Sequence, residues 1–375
     1  MLPNYKDGSI VNLVSSVMKS YGLKSPYGEC KLLKSNEIKK YKHVVLMCLD
    51  GFGHDLINRY GKQFLKKYSR GSLTSVFPST TTAALTSFST GLAPKQHGLL
   101  AWNLWVKEFG AVFKPLHFVP RINGVLEVDG LKWFDFESYA GKIKNSFSIL
   151  PVDIIGSAYT FKSTKGTKIA PYEDLPEAFN NLIALTSRKQ SSFIYFYWSG
   201  VDSLCHEHGK ESKNVKTHIR EIELFLEIVQ SHMKDTCIIL TSDHGHVTSK
   251  KNEMINLNKV PGLMDCLTTP MSGEPRALFC FVRPSKVKEF KKIYKKHLSK
   301  YFSLVSYDEL IKKNYFGIGV EHKELFSRAG DFVLIAKKNY MAKDFLFGEK
   351  QKFDLVSNHG GTSKEEMEVP LVVIT

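Results

Sequence analysis

His43-Val44-Val45-Leu46-Met47-Cys48-Leu49-Asp50-Gly51-Phe52-Gly53 is the stretch on which the fold turns. The run from His43 to Leu49 is short, apolar on both alternations, partly β-branched and followed at once by glycines. That pattern predicts a strand buried on both faces, as in a parallel sheet covered by helices. Asp50 then stands at the C-terminal edge of the sheet, where open α/β sheets place their ligands. A single aspartate in such a position also serves as a helix cap or turn residue, so it carries no chemistry alone.

The arrangement recurs along the chain. The apolar run Thr236-Cys237-Ile238-Ile239-Leu240-Thr241 leads into Ser242-Asp243-His244-Gly245, which offers a carboxylate and an imidazole from one turn. Phe193-Ile194-Tyr195-Phe196-Tyr197-Trp198 precedes Asp202 and His206, and a spacing of four puts that pair on one side of a helical turn. A surface ion pair would have the same spacing. Asn358-His359-Gly360-Gly361 supplies a further imidazole near the C-terminus. Jointly, three carboxylates, three imidazoles and a nearby hydroxyl are what two divalent cations and a covalent nucleophile require.

The hydroxyl comes from Phe77-Pro78-Ser79-Thr80-Thr81-Thr82. The residues after it, up to Thr90, have helical composition and stop at Gly91 with Pro94 beyond. Thr80, Thr81 and Thr82 therefore lie at a helix N-terminus, where free N–H groups and the macrodipole favour an alkoxide and an incoming phosphate. Threonine is a poor nucleophile unless a metal lowers its pKa. Composition does not separate the three hydroxyls, which also suit capping positions.

Taken together, these motifs resemble the alkaline phosphatase superfamily, and most closely its nucleotide pyrophosphatase/phosphodiesterase branch, over about residues 43–250 and again 350–375. The resemblance implies an alkaline-phosphatase-like α/β core with a mostly parallel central sheet flanked by helices. Thr90-Gly91-Leu92 and His97-Gly98 hold the family's register, which places its nucleophilic threonine on Thr81. One metal site would use Asp50, Thr81, Asp243 and His244, the other Asp202, His206 and His359. The ions implied are two divalent metals, zinc first and manganese as the alternative. The family's asparagine three residues after the nucleophile corresponds to Ala84, and Asn103 is the candidate substitute for binding the phosphoryl oxygen. The tail from His359 to Leu371 is also similar to that of phosphoglycerate mutases and phosphopentomutases, so a phosphomonoesterase, sulfatase or mutase is the alternative activity. Two ions bring four positive charges against Asp50, Asp202, Asp243 and a Thr81 alkoxide. Neutral Thr82, Ala83 and Ala84 follow, which favours a monoanionic diester over a dianionic monoester.

The chain has 375 residues, 43% hydrophobic and 12% aromatic, enough for a large core. The six cysteines form no C-x-x-C pair and read as reduced core residues, no signal peptide is evident at Met1, and no run nears the ~18 apolar residues of a membrane span. A soluble cytoplasmic enzyme acting on a nucleotide or other small phosphodiester is the expectation. A net charge of +15, with lysines clustered from Lys286 to Lys300, leaves a nucleic-acid partner or a non-catalytic nucleic-acid-binding protein as a second reading. Ile10, Leu13, Val14, Val17 and Met18 share one face of a helical lead-in, expected over residues 1–40. Residues 1–250 would form the catalytic core with that lead-in, 251–350 an inserted α/β cap, and 351–375 the return of the core. Oligomeric state has no signature in the sequence.

Overall fold

The computed structural model describes residues 1–122 and 128–375. Its central sheet has seven strands in the order Ser69–Thr74, Glu368–Ile374, Thr236–Thr241, His43–Leu49, Ser192–Trp198, Ser146–Pro151 and Lys168–Tyr172. Glu368–Ile374 runs antiparallel to both its neighbours, and the other pairings are parallel. The sheet is therefore mostly parallel, as expected.

The apolar run that opens the argument occupies the middle of this sheet, and all seven of its residues are buried. Val44, Leu46 and Cys48 join one core cluster, with Ile10, Leu13, Val14 and Val17 of helix Ile10–Ser20 and Ala84 and Phe88 of helix Thr81–Thr90. Val45, Met47 and Leu49 enter the opposite cluster, with Ala178 and Phe179 of helix Leu175–Thr186 and Ile219, Ile222 and Leu226 of helix Lys213–His232. The period of two explains the split. Each such side chain is worth about 1.5–3 kcal/mol of burial, which fixes the strand's register.

Register positions the site. Leu49 lies opposite Trp198, and Cys48 opposite Thr241, in parallel pairings. The three strands thus end at one edge, and the residues that follow them, Asp50, Asp202 and Asp243, emerge side by side. Because Glu368–Ile374 runs the other way, its N-terminal end lies at the same edge and draws the His359 loop there.

Between residues 251 and 350 the chain builds a four-stranded antiparallel sheet, ordered Ser272–Glu274, Ala277–Cys280, Phe332–Ala336, Phe302–Ser306. Leu278, Cys280 and Leu334 pack on Phe290 and Leu298 of the lysine-rich helical segment, while Ala277, Phe279, Val333 and Ile335 face Phe77, Leu100, Leu104 and Phe113. The segment is packed onto the 77–113 region by a full apolar face. Two details differ from the sequence reading. The lead-in is helical only over Ile10–Ser20 and Ser35–Ile38, and residues 104–120 form a three-stranded meander whose strands are too short to announce themselves by alternation.

Candidate active site

Asp50 continues the strand ladder, its N–H donating to the Trp198 carbonyl at 2.8 Å. Gly51 then turns with φ +71°, and a Cβ there would lie 2.8 Å from both Asp202 Cα and His246 Nε2. The glycine is what lets the two strand ends approach. Asp50 accepts the Tyr197 hydroxyl on Oδ2, while Oδ1 is buried with no hydrogen-bond partner. Asp243 Oδ1 accepts the N–H groups of Gly51 at 3.0 Å and His244 at 2.9 Å, and its Oδ2 is likewise buried and unpartnered. Burial, followed by the charges of Asp243 and Asp202, pushes the Asp50 carboxyl well above the usual range.

His244 Nε2 is the hub of this group, 3.2 Å from Thr81 Oγ1, 3.4 Å from Asp50 Oδ1 and 3.2 Å from Asp243 Oδ2. Ligand atoms bonded at ~2.0–2.1 Å to a tetrahedral zinc are separated by about 3.3 Å, so this spacing suits one cation. Two orphaned carboxylate oxygens in the same cluster are the second sign, since buried charges are otherwise paired.

Asp202 and His206 lie on helix Gly200–His208, and Asp202 Oδ1 is 3.3 Å from His206 Nε2 and 4.0 Å from His359 Nε2. Each imidazole is anchored through Nδ1: His206 at 2.7 Å from the Ser357 carbonyl, His359 at 3.0 Å from that of Ser79, His244 at 3.1 Å from that of Gly245. A carbonyl can only accept, so each Nδ1 donates and each Nε2 presents a lone pair to the cluster, the tautomer a metal ligand needs. His244 and His359 stack with ring centroids 3.6 Å apart. Burial, with the neighbouring imidazoles His244 and His206, keeps His359 well below the usual histidine value. Against a desolvation that raises it, His206, His246 and His359 hold the Asp202 carboxyl well below its usual range. The residues fit two adjacent divalent ions, and the seven metal ligands anticipated from sequence are all brought together.

Thr81 opens helix Thr81–Thr90 behind Thr80 as N-cap, and Gly91 closes it at φ +70°. Ala84 is fully buried against the sheet core, so no phosphoryl contact comes from that position. Asn103 lines a cavity of about 470 Å³ together with Thr81, Trp102, His206 and His359, and its Oδ1 is buried and unpartnered. Of the aromatic residues near the motifs, Trp102 and Tyr197 reach the site, whereas Trp198 donates to His218 Nε2 at 2.9 Å and Trp105 packs on Phe281.

Two buried positions in contact with these residues escaped the sequence reading. His246 is fully buried, with Nε2 2.8 Å from Asp202 Oδ1 and Nδ1 3.2 Å from Ser357 Oγ. Burial lowers its pKa to about 4, leaving it neutral as the donor to Asp202. Glu274, from the inserted segment, accepts the Thr80 hydroxyl at 2.7 Å and the Trp102 N–H at 2.6 Å on Oε1. Burial raises its carboxyl to about 7. The His-Gly-His spacing of the first was a signal, since alternate residues of an extended segment share a side; the second had none.

A strand-edge cluster of carboxylates and imidazoles around Thr81, the first residue of a helix, is an arrangement that a hydrolase of phosphoester-type bonds would use. The family model of type I phosphodiesterase / nucleotide pyrophosphatase matches residues 44–361, and the chain belongs to that family. Among solved structures it is similar to murine ectonucleotide pyrophosphatase/phosphodiesterase 5, at 15% identity and TM-score 0.66 over 88% of this chain and 87% of that one. The human form gives 16% identity and TM-score 0.66 over the same shares. Phosphonoacetate hydrolase from Sinorhizobium meliloti 1021, in complex with phosphonoformate, gives 15% and 0.64 over 89% of this chain and 90% of that one. No curated protein matches the chain significantly.

Proposed function

We propose that this protein hydrolyses phosphodiester or nucleotide pyrophosphate bonds through a phospho-threonine intermediate on Thr81, with two divalent ions, zinc by preference, held by Asp50, Thr81, Asp243 and His244 and by Asp202, His206 and His359. The observation that carries this reading is the convergence of Thr81 Oγ1, Asp50 Oδ1 and Asp243 Oδ2 on His244 Nε2 at 3.2–3.4 Å, with both carboxylate oxygens otherwise unpaired. Bound there, the ions would supply Lewis acidity to the nucleophile and to the leaving oxygen. Thr81 Oγ1 forms a bond to phosphorus as the bond to the leaving alcohol or phosphate breaks in line, and the threonine proton passes through solvent to the departing oxygen. The first-turn N–H groups of its helix, which have no acceptor within the helix, face the phosphoryl oxygens as charge builds. Water oxygen then bonds to phosphorus as the Thr81 Oγ1–P bond breaks, and a proton from that water returns to Oγ1.

Lys114 and Lys343 line the cavity of about 470 Å³ that Asn103 and Thr81 share, giving a counter-charge to an anionic arm such as the second phosphate of a pyrophosphate. The AMP in complex with an inactive form of the murine neighbour supports a nucleotide as one class of substrate. The lysine-rich segment 286–300 lines neither cavity near Thr81, which favours a small-molecule substrate over nucleic acid. Six free, buried cysteines suit a reducing compartment, in keeping with a cytoplasmic location. Purified protein should hydrolyse bis-4-nitrophenyl phosphate, lose that activity on chelation, and regain it with Zn²⁺ or Mn²⁺. Hydrolysis indifferent to chelator in metal-free protein would refute the reading.

A further inference from the structure

The first hairpin of the inserted segment turns on two residues, Pro275 and Arg276, between the paired Glu274 and Ala277. Arg276, at its tip, is fully buried, and so is Glu366, the residue it meets. Arg276 Nε donates to Glu366 Oε1 at 2.6 Å and Nη2 to Oε2 at 2.9 Å, while Nη1 and Nη2 also donate to the carbonyls of Tyr340 and Lys338 at 2.6 and 2.9 Å. From Glu366 the bonds lead on to the candidate metal centre. Oε1 accepts the Gly361 N–H at 2.7 Å, the Gly361 carbonyl accepts the Ser79 hydroxyl at 2.9 Å, and the Ser79 carbonyl accepts from His359 Nδ1 at 3.0 Å. We infer that Glu366, held by Arg276, is a positioning residue for His359, so that the inserted segment fixes the geometry of the Asp202–His206–His359 site through two side chains that are not ligands.

Helix capping accounts for only half of the Glu366 carboxylate. As the third residue of helix Lys364–Met367 it closes a capping box with Ser363, whose N–H and hydroxyl bond Oε2 at 3.2 and 2.6 Å. Both bonds of Oε1 lie outside that motif, one to the inserted segment and one to the His359 turn. Stability does not account for the pair either, since replacing a buried ion pair by well-packed apolar residues of similar volume is often neutral or stabilising. What the pair supplies is geometry: the planar guanidinium fork engages both carboxylate oxygens and so directs Oε1 at Gly361. The turn is closed in from both sides. A Cβ on Gly361 would lie 2.8 Å from Glu366 Oε2, and a Cβ on Gly360, where φ is +111°, would lie 2.5 Å from the Cβ of Glu274 on the same hairpin as Arg276. The His244 turn is tied to this helix by main chain alone, the Gly245 N–H donating to the Glu366 carbonyl at 2.9 Å. Changes to the Glu366 side chain therefore act on one ion and leave the other.

This inference rests on the metal-centre reading, and the experiment separates their failures. Zinc affinity is measured by competition with a calibrated chelator, resolving the two binding steps, in wild type and in Arg276→Met/Glu366→Leu. His206→Ala, which removes a proposed ligand, marks the step that belongs to this ion. The double substitution replaces the pair by apolar side chains and should leave the melting temperature of metal-free protein close to wild type, yet it deprives the Gly361 N–H of its acceptor. Loss of an outer partner costs about 10–100-fold in metal affinity, and because Glu366 acts through the Gly361 backbone the low end applies, about tenfold at the Asp202–His206–His359 ion. The other ion should be held as in wild type. Glu366→Gln, which keeps an acceptor for Gly361, should recover most of the lost affinity. Arg276→Lys keeps the charge but cannot span both carboxylate oxygens, and should show a smaller loss at the same ion; it decides the matter if the double variant does not fold. Unchanged affinity at that ion in the variant that folds, or equal losses at both ions, would overturn the inference. Wild-type protein that binds no zinc would overturn the metal-centre reading with it, whereas two tightly held ions indifferent to these substitutions would leave that reading standing.

Discussion

Replacing His246 by alanine should weaken one of the two proposed metal sites without removing any of the seven proposed ligands. His246 Nε2 is 2.8 Å from Asp202 Oδ1, the oxygen that also lies 3.3 Å from His206 Nε2. Ser357 Oγ, 3.2 Å from Nδ1, donates to that nitrogen and so leaves the proton on Nε2, where it is directed at the carboxylate. A hydrogen bond to a charged group is worth about 1.5–3 kcal/mol, and loss of an outer partner of a ligand costs about 10–100-fold in metal affinity, the same range. Asp202 is 16% exposed in its side chain, so water can replace part of the lost bond and the lower half of that range applies. His246→Ala should therefore raise the dissociation constant of the Asp202–His206–His359 ion by about 10–30-fold, read by competition with a calibrated chelator. The other ion should be held as before. His246→Gln, which keeps a donor within reach of Asp202, should recover most of the affinity. Equal metal affinity in wild type and His246→Ala would show that His246 only fills space.

Three other outcomes follow from the geometry. Because burial and the neighbouring aspartates raise the Asp50 carboxyl, its ionisation destabilises the metal-free fold as pH climbs; Asp50→Asn should raise the melting temperature of metal-free protein at pH 8 and abolish the further rise on adding Zn²⁺. Glu274 reaches about 7 in the fold against about 4.5 unfolded, so metal-free protein should lose stability as pH rises across that window, by up to about 3 kcal/mol, and Glu274→Gln should flatten the curve; a wild-type profile equally flat would remove the buried carboxyl from consideration. With two ions balanced by three aspartates and the Thr81 alkoxide, kcat/KM should be higher for a diester than for its matching monoester, and a clear monoester preference would move the assignment to a phosphatase or mutase.

Much of this candidate site was readable because its proposed ligands sit where local patterns end. Asp50 and Asp243 follow buried apolar runs, and parallel pairing necessarily delivers both to one edge. Asp202 and His206 are one helical turn apart, and the observed helix places them 3.3 Å from each other. The rest depended on contacts that no local pattern encodes. Glu274 reaches Thr80 across 194 positions of sequence, from a strand whose placement is set by the packing of Phe279 and Val333 on the 77–113 region. A cavity of about 240 Å³ beside Asp50 and Thr81 is a property of how helix Thr81–Thr90 sits on the sheet, and its lining comes from separate stretches of chain as far apart as Asp50 and Ser203. Tyr197 could be read only as a core or stacking residue, whereas its hydroxyl is committed to Asp50.

The central claim is that Thr81 Oγ1 carries the phosphoryl group between two half-reactions. It is tested most directly by acid-quenching the enzyme during turnover of a phosphodiester and sequencing the digest by mass spectrometry. The expected result is one phosphoryl group on the peptide containing Thr81, localised to that residue, absent from Thr81→Ala, and accompanied in that variant by a loss of more than about a thousandfold in kcat. Phosphate localised to Thr80 or Thr82, or full turnover by Thr81→Ala, would contradict it.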